Sequence, residues 1–216
     1  MGKSDIEMVG QIIDSAEKND LDSVVDVLEK VFELKDPYTA SHQKKTTELA
    51  CAIAKEMNIG PHGIMLVHFA CAVHDIGKIR IPSEILSKPG KLTAGEFGLI
   101  KEHATTGYEI LRKVRFPESM PVAEVILQHH ERMNGTGYPE KIDDRNLLLE
   151  ARIIAVADVV EAMSSHRPYR PACGVEAAQN EIRANKCIIY DAAVVDACLR
   201  LFANGKAQQI LNNGHV

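Results

Sequence analysis

The sequence predicts an all-α protein. Apolar residues recur at helical spacing along most of the 216 positions. Proline and glycine fall between these segments, where helices begin and end. Aromatic residues make up only 5% of the chain and tryptophan is absent, which fits a helical protein. The length predicts one domain with a small appendage, which we place at residues 1–34, with the main domain at residues 35–216.

The appendage is predicted to contain two helices, at residues 6–17 and 21–34. The second helix spaces Val24, Leu28 and Val31 along one face, with acidic residues between them. An amphipathic pair of this kind either packs on the core or forms a homodimer contact. The remnant of a lost sensory domain is the alternative.

The main domain is predicted to contain seven helices. The first begins at the Asp36-Pro37 pair, with aspartate as the N-cap and proline at the first helical position. The third begins at a capping box, Thr93-Ala94-Gly95-Glu96. Residues 79–92 are expected to be an irregular loop. The predicted spans are residues 37–57, 62–76, 93 onward, 121–132, 149–163, 174–185 and 191–211.

Two carboxylates interrupt apolar helices. Asp75 follows an almost wholly apolar helix, and Asp158 lies inside a second apolar run. A buried carboxylate is costly unless a cation compensates it. Five histidines accompany this pair, and such a set suits a two-metal hydrolytic site in which a water between the ions becomes the nucleophile. The candidate ligands are His42, His74, Asp75, His103, His129, His130 and Asp158.

The adjacent pair His129-His130 constrains the local structure. Neighbouring helical side chains point about 100° apart. Both imidazoles reach one ion only if that ion lies in the angle between them, or if the helix ends there. The glycine-rich loop 134–139 follows, where the backbone can approach a ligand closely.

Taken together, these motifs resemble the HD-GYP domain over about residues 35–200. The resemblance implies an HD-superfamily helical fold and metal-dependent hydrolysis of cyclic di-GMP, a bacterial second messenger. The matching segments are His74-Asp75-Ile76-Gly77-Lys78, His129-His130-Glu131-Arg132, Gly137-Tyr138-Pro139, Val156-Ala157-Asp158 and Arg167-Pro168-Tyr169-Arg170.

The resemblance also implies residue roles. Two divalent ions, iron or manganese, are expected, with Asp75 bridging them. His42, His74, Asp75 and Asp158 match the ligands of one ion, and Asp75, His103, His129 and His130 match those of the other. Asp75 and Lys78 are the expected catalytic residues, and Lys78 also contacts phosphate. Tyr138 lies on the substrate lip, and Arg167 and Arg170 are candidate guanine or phosphate contacts.

One departure from the family bears on the product. Some members carry a glutamate four residues before the first ligand histidine, where it helps to hold a third ion. This chain has Tyr38 there. We therefore expect a binuclear site and linear pGpG as the main product, with GMP as the alternative.

Net charge and hydropathy argue against several other classes of function. The net charge of −5 argues against a general binder of polymeric nucleic acid. No window approaches the length of a membrane span, and no secretory signal is visible, so we expect a cytoplasmic protein. Two rival functions stay open: a catalytically weak cyclic-dinucleotide sensor or interaction module, and a hydrolase of another cyclic dinucleotide such as cyclic GMP-AMP. Signalling protein partners are left open.

Overall fold

A computed structural model describes residues 37–114, 116–117, 120–165 and 172–213, together with residues 23, 25, 27 and 30. All regular secondary structure in this part of the chain is helical, which confirms the all-α prediction. A 3-10 helix spans Ile76–Arg80. The α-helices are α1 (Pro37–Glu56), α2 (Gly60–Val73), α3 (Ser83–Leu86), α4 (Ala94–Leu111), α5 (Val122–Gln128), α6 (Leu149–Ser164), α7 (Val175–Ala184), α8 (Ala192–Ala203) and α9 (Lys206–Asn212).

The core lies where α1 packs against α2 and α6. Its largest fully buried side chains include Leu49 and Ile53 of α1, Phe69 of α2, and Ile153 and Ile154 of α6. Burying each such side chain contributes about 1.5–3 kcal/mol. Helix packing therefore fixes the relative positions of three helices that carry or lead directly to four predicted ligands.

Helix α2 ends earlier than predicted. The apolar pattern predicted a helix to residue 76, but the helix ends at Val73 and the backbone of Asp75 leaves the α region (φ −95°, ψ 3°). A 3-10 turn follows, in which the Lys78 N–H donates to the Asp75 carbonyl at 2.9 Å. Since a 3-10 helix has three residues per turn, Lys78 returns to the same side of the chain as Asp75.

Close contact with α4 requires glycine at position 77. A Cβ atom added there would lie 1.9 Å from the His103 carbonyl oxygen and 2.6 Å from the Gly107 nitrogen. No side chain fits in that space. Gly77 therefore lets the 3-10 helix press directly on the backbone of α4.

Two other predicted spans were wrong in detail. The irregular loop 79–92 contains the end of the 3-10 helix and the short helix α3. The predicted helix 191–211 is divided into α8 and α9 by Gly205. Its φ of +81° lies in the left-handed region, which glycine adopts at little cost.

The predicted appendage lies mostly outside the described residues. Ser23, Val25, Val27 and Lys30 are helical, and Val25 is buried as part of the core cluster. The boundary at residues 34 and 35 and the homodimer contact stay predictions. Among the described helices, none combines the length and apolar character needed to cross a membrane.

We predict that Gly77→Ala destabilises the protein by about 1–3 kcal/mol or more, because the added methyl group overlaps backbone that cannot move aside. Urea unfolding measures the change. Gly98→Ala is the matched control, because a Cβ atom at this α4 position meets nothing within 4 Å. The control should gain about 0.5–1 kcal/mol. Equal stability of the two variants would contradict the close contact.

Candidate metal centre

Six of the seven predicted ligands form two compact groups. Within each group, one potential ligand atom of every residue lies within 4.8 Å of the others. The first group forms where α1 meets the end of α2, and the second where α4 meets the end of α5. The groups are His42, His74 and Asp75, and His103, His129 and His130.

Asp75 lies between the two groups and faces both. Its Oδ2 atom lies 3.6 Å from Nε2 of His74, and its Oδ1 atom lies 3.5 Å from Nε2 of His103. Lys78 Nζ lies 2.5 Å from Oδ2. One carboxylate therefore presents a separate oxygen to each histidine group, an arrangement that suits a bridging ligand.

Three of the histidines are held by backbone carbonyls of their own helices. In each, Nδ1 lies within hydrogen-bond distance of the carbonyl oxygen three residues earlier. The distances are 2.7 Å from His74 to Cys71, 2.6 Å from His103 to Ile100 and 2.5 Å from His129 to Ile126. When Nδ1 donates to these carbonyls, Nε2 keeps its lone pair for a metal ion. The donor set thus fits divalent metals.

His42 is held by carboxylates instead. Its Nδ1 atom hydrogen-bonds to Oε2 of Glu161, and its Nε2 atom lies 3.2 Å from Oδ1 of Asp158, the seventh predicted ligand. Ser165 in turn donates to the other oxygen of Glu161 at 2.6 Å. Glu161 is only 1% exposed, so this chain of contacts fixes the ring of His42.

Sequence reasoning missed Glu161. A signal was available, because Glu161 lies three residues after Asp158 and therefore on the same face of α6. It is also an acid in a mostly apolar helix, the same feature that singled out Asp158. Its contact with α1, 119 residues away in the chain, could not be inferred from the spacing alone.

The pKa of His42 is shifted upward, whereas the pKa values of His129 and His130 are shifted downward. Burial lowers the pKa of His42, but Asp158 and Glu161 outweigh it and raise the pKa to about 9. The imidazole therefore carries a proton that a metal ion must replace. Burial, reinforced by neighbouring imidazoles, lowers the pKa of His129 and His130 well below its usual range. These two rings are neutral, the form that binds metal.

The aspartates remain ionised. Burial disfavours the charged form of Asp75, yet the positive charge of Lys78 and electrostatic interactions with the nearby imidazoles hold its pKa well below the ordinary value. Asp158 shows the same balance, since burial raises its pKa and the hydrogen bond to His42 lowers it further than burial raises it. Two carboxylates therefore face the site as anions at neutral pH.

The end of α5 brings both adjacent histidines to one side. Helix α5 ends at Gln128. A helix end at this point was one of the two ways in which both imidazoles were predicted to reach one ion. The ring centroids of His129 and His130 are 4.0 Å apart, and His103 lies 5.2 Å and 5.0 Å from them. The break in the helix lets consecutive residues join one group.

Tyr138 covers the outer histidine. Its ring stacks on that of His130, with centroids 4.6 Å apart and an angle of 29° between the planes. Burial raises the pKa of the Tyr138 hydroxyl, which stays protonated at neutral pH. The tyrosine therefore forms a flat, neutral rim beside the second histidine group.

The loop that carries Tyr138 is anchored at two points. A Cβ atom on Gly137 would lie 2.4 Å from the Glu131 Cα atom, so only glycine allows this approach. The buried carboxylate of Glu131 accepts hydrogen bonds from the backbone N–H groups of Glu140 at 2.6 Å and Lys141 at 2.9 Å. These contacts fix the loop against the segment that follows α5.

Three residues named in the sequence predictions lie wholly or partly outside the described part of the chain. Arg167 and Arg170, the candidate guanine or phosphate contacts, lie outside the described residues, and so does the side chain of Tyr38. Their roles stay predictions. Lys78 and Tyr138, by contrast, lie beside the two histidine groups.

Sequence comparison assigns the family. A family model described as the HD domain matches residues 26–194. The chain belongs to the HD domain family. A cyclic di-GMP phosphodiesterase of Thermotoga maritima is 39% identical over 178 residues, which cover 82% of this chain and 48% of the relative. The response regulator RpfG of Xanthomonas campestris, also named a cyclic di-GMP phosphodiesterase, is 36% identical, with 84% of this chain and 47% of RpfG covered.

Other HD domain relatives are named for a different nucleotide. The 3′3′-cGAMP-specific phosphodiesterase 1 of Vibrio cholerae is 36% identical, with 82% of this chain and 41% of the relative covered. The chain spans about half the length, or somewhat less, of these curated relatives. The predicted resemblance to HD-GYP domains is confirmed by these matches.

Solved structures show the same fold. The HDG"Y"P protein Bd1817 of Bdellovibrio bacteriovorus superposes with a TM-score of 0.65 at 16% identity, covering 90% of this chain and 67% of that one. The V. cholerae cyclic GMP-AMP phosphodiesterase V-cGAP3 gives a TM-score of 0.61 at 18% identity, covering 80% of this chain and 46% of that one. The predicted HD-superfamily fold is thereby confirmed.

We predict that Glu161→Gln weakens metal binding about 10- to 100-fold, because it removes the charge that orients His42 and favours its interaction with a cation. Competition with a chelator measures the affinity. Glu150→Gln is the control, since Glu150 lies on the same helix roughly 16 Å away by helix rise and should leave affinity unchanged. Wild-type affinity in Glu161→Gln would show that the carboxylate does not support the site.

Proposed function

We propose that this HD domain is a metal-dependent phosphodiesterase that hydrolyses cyclic di-GMP. The observation that carries the proposal is the position of Asp75, whose two oxygens face separate histidine groups. That arrangement suits two ions acting on one phosphodiester. Relatives 36–39% identical that are named cyclic di-GMP phosphodiesterases support the choice of substrate.

The proposed site holds two divalent ions. His42, His74, Asp75 and Asp158 would hold one, and Asp75, His103, His129 and His130 the other. Imidazole nitrogen and carboxylate oxygen suit iron or manganese, which we propose as the resident metals. When bound, such ions polarise phosphoryl oxygens and make water acidic enough to attack near neutral pH.

Lys78 is proposed to act on the phosphodiester. Its ammonium group lies at Asp75, and its side chain is only 16% exposed, where charge interactions are stronger than in bulk water. It can bind a non-bridging phosphate oxygen and offset the negative charge that builds up as the phosphodiester bond breaks. Tyr138 offers a flat face at the rim for a base or ribose, and Arg167 and Arg170 are proposed to contact guanine or phosphate.

Linear pGpG is the proposed main product. The resemblance associates a third ion with further hydrolysis to GMP, and Tyr38 replaces the glutamate that helps to hold this ion. Chromatography of a reaction run to completion distinguishes the two products. Formation of two GMP for each cyclic di-GMP consumed, without residual pGpG, would overturn this part of the proposal.

A second candidate is hydrolysis of 3′3′-cGAMP. It is favoured by three relatives at 28–36% identity that are named as specific for this nucleotide. Competition between the two substrates in one reaction measures the ratio of their kcat/KM values. A ratio in favour of 3′3′-cGAMP would replace the first substrate with the second and leave the proposed chemistry unchanged.

We predict that Asp75→Asn removes bound metal and lowers turnover of cyclic di-GMP at least 100-fold, because one anionic ligand would be lost to both ions at once. Metal analysis and turnover are measured on the same sample. Asp143→Asn, in an exposed ion pair with Arg145, is the control. Retained metal with normal turnover in Asp75→Asn would contradict the assignment of Asp75 as a metal ligand.

Lys78→Met is predicted to keep the metal but to lower kcat about 10²–10³-fold, the cost typical of losing one group that stabilises transition-state charge. Steady-state kinetics with metal analysis separates the two effects. Lys113→Met, an exposed lysine beyond the end of α4, should match the wild type. An unchanged kcat in Lys78→Met would exclude the lysine from the chemical step.

A further inference from the structure

We propose that a pocket beside Lys78 binds one guanine base of the substrate. This inference rests on the proposed function, because it takes a cyclic dinucleotide as the ligand. The pocket has a volume of about 530 Å³, within the roughly 300–1,000 Å³ of small-molecule sites. It lies between the 3-10 helix and α3 on one side and the first turns of α4 on the other.

The pocket shares two walls with the metal centre. Lys78 lines the pocket and also reaches Asp75 with its Nζ atom. Ile100 lines it as well, and its carbonyl oxygen lies 2.6 Å from Nδ1 of His103. A phosphodiester bound by the Lys78 ammonium group would therefore place its attached nucleoside close to this pocket.

The remaining walls suit the flat face of a purine. Leu86 and Leu92 supply apolar surface, and Phe97 supplies an aromatic ring that remains 46% exposed. Aromatic side chains are a common stacking surface for bases. Lys101 Nζ lies 4.8 Å from the Phe97 ring centroid and 5.1 Å from that of Tyr138. A continuous surface therefore leads from the pocket to the tyrosine rim of the metal centre.

The charged side chains that line the pocket are all lysines, and such donors favour guanine over adenine. Lys88 is paired with Glu96 at 2.7 Å, whereas Lys91 is exposed and has no carboxylate within ion-pair distance in the described part of the chain. On the edge that faces the major groove in a duplex, guanine presents two neighbouring acceptors, O6 and N7, whereas adenine presents one acceptor, N7, and one donor, the N6 amino group. Lys91 has only donors, so it can bond to two atoms of this edge in guanine and to one in adenine.

Equilibrium binding of cyclic di-GMP to the full chain tests the proposal, with GMP and AMP as competitors. Ala94→Trp would fill the pocket from an exposed position at the start of α4, and Lys91→Met would remove the donor. Each should raise the Kd for cyclic di-GMP at least tenfold. The matched controls are Ala203→Trp and Lys206→Met, exposed positions outside the pocket, which should change Kd less than twofold.

The outcomes separate this proposal from the proposed function. If the wild type binds cyclic di-GMP without hydrolysing it, and both variants lose binding, the phosphodiesterase assignment fails and the pocket stands. If the wild type hydrolyses cyclic di-GMP and both Lys91→Met and Ala94→Trp bind it with unchanged Kd, the proposed base pocket is overturned and the proposed function stands. Absence of binding by the wild type also overturns it. AMP competing as well as GMP overturns the preference for guanine.

Folding of the variants is checked by circular dichroism and bound metal. Lys91→Met changes only an exposed side chain, so it keeps the proposal testable if Ala94→Trp fails to fold. Loss of metal from Lys91→Met would show that Lys91 stabilises the metal centre. That result would overturn the proposal that Lys91 binds the guanine base.

Discussion

Burial of the Asp75 carboxylate among cationic and imidazole groups is the constraint on which the rest of the site depends. An isolated charge at this depth, only 2% exposed, would be strongly destabilising. Lys78 offsets part of that cost in the protein itself, and bound cations would offset more. The early end of α2 and the 3-10 turn after it place carboxylate and ammonium on the same side. Gly77 then allows α4 to approach closely enough for His103 to complete the surroundings of the carboxylate.

Helix ends position His74 and His129 and also supply the groups that orient these two rings. The last carbonyls of a helix lack partners within it. Cys71 and Ile126 lie in the last turns of α2 and α5, and their carbonyl oxygens face Nδ1 of His74 and His129. These backbone carbonyls thus favour the tautomer in which Nδ1 of each ring carries the proton. His42 lies inside a helix and uses the Glu161 carboxylate for the same purpose, which explains why an acid lies buried in α6.

The sequence predicted those features of the fold and the site that depend on the local pattern of residues. Helical spacing defined most elements, and the anomaly of acids in apolar helices singled out Asp75 and Asp158. Features set by contacts between distant segments were not predictable in this way. The end of α2 and the contact of Glu161 with α1 each depend on backbone conformation or on a partner far along the chain. The break at Gly205 differs, because Asn204-Gly205 is a local signal for a helix end that the sequence prediction did not use. The walls of the proposed base pocket all lie within residues 78–100, but its shape depends on how the 3-10 helix, α3 and α4 pack, which the residue pattern does not specify.

The central claim is that two metal ions at Asp75 hydrolyse a cyclic dinucleotide. The most direct test is the metal content of protein purified without oxygen, measured beside cyclic di-GMP turnover on the same sample. The account predicts close to two ions per chain, and turnover that disappears when a chelator removes them and returns when they are restored. Two bound ions without any loss of cyclic di-GMP or 3′3′-cGAMP would contradict it, as would full turnover by metal-free protein.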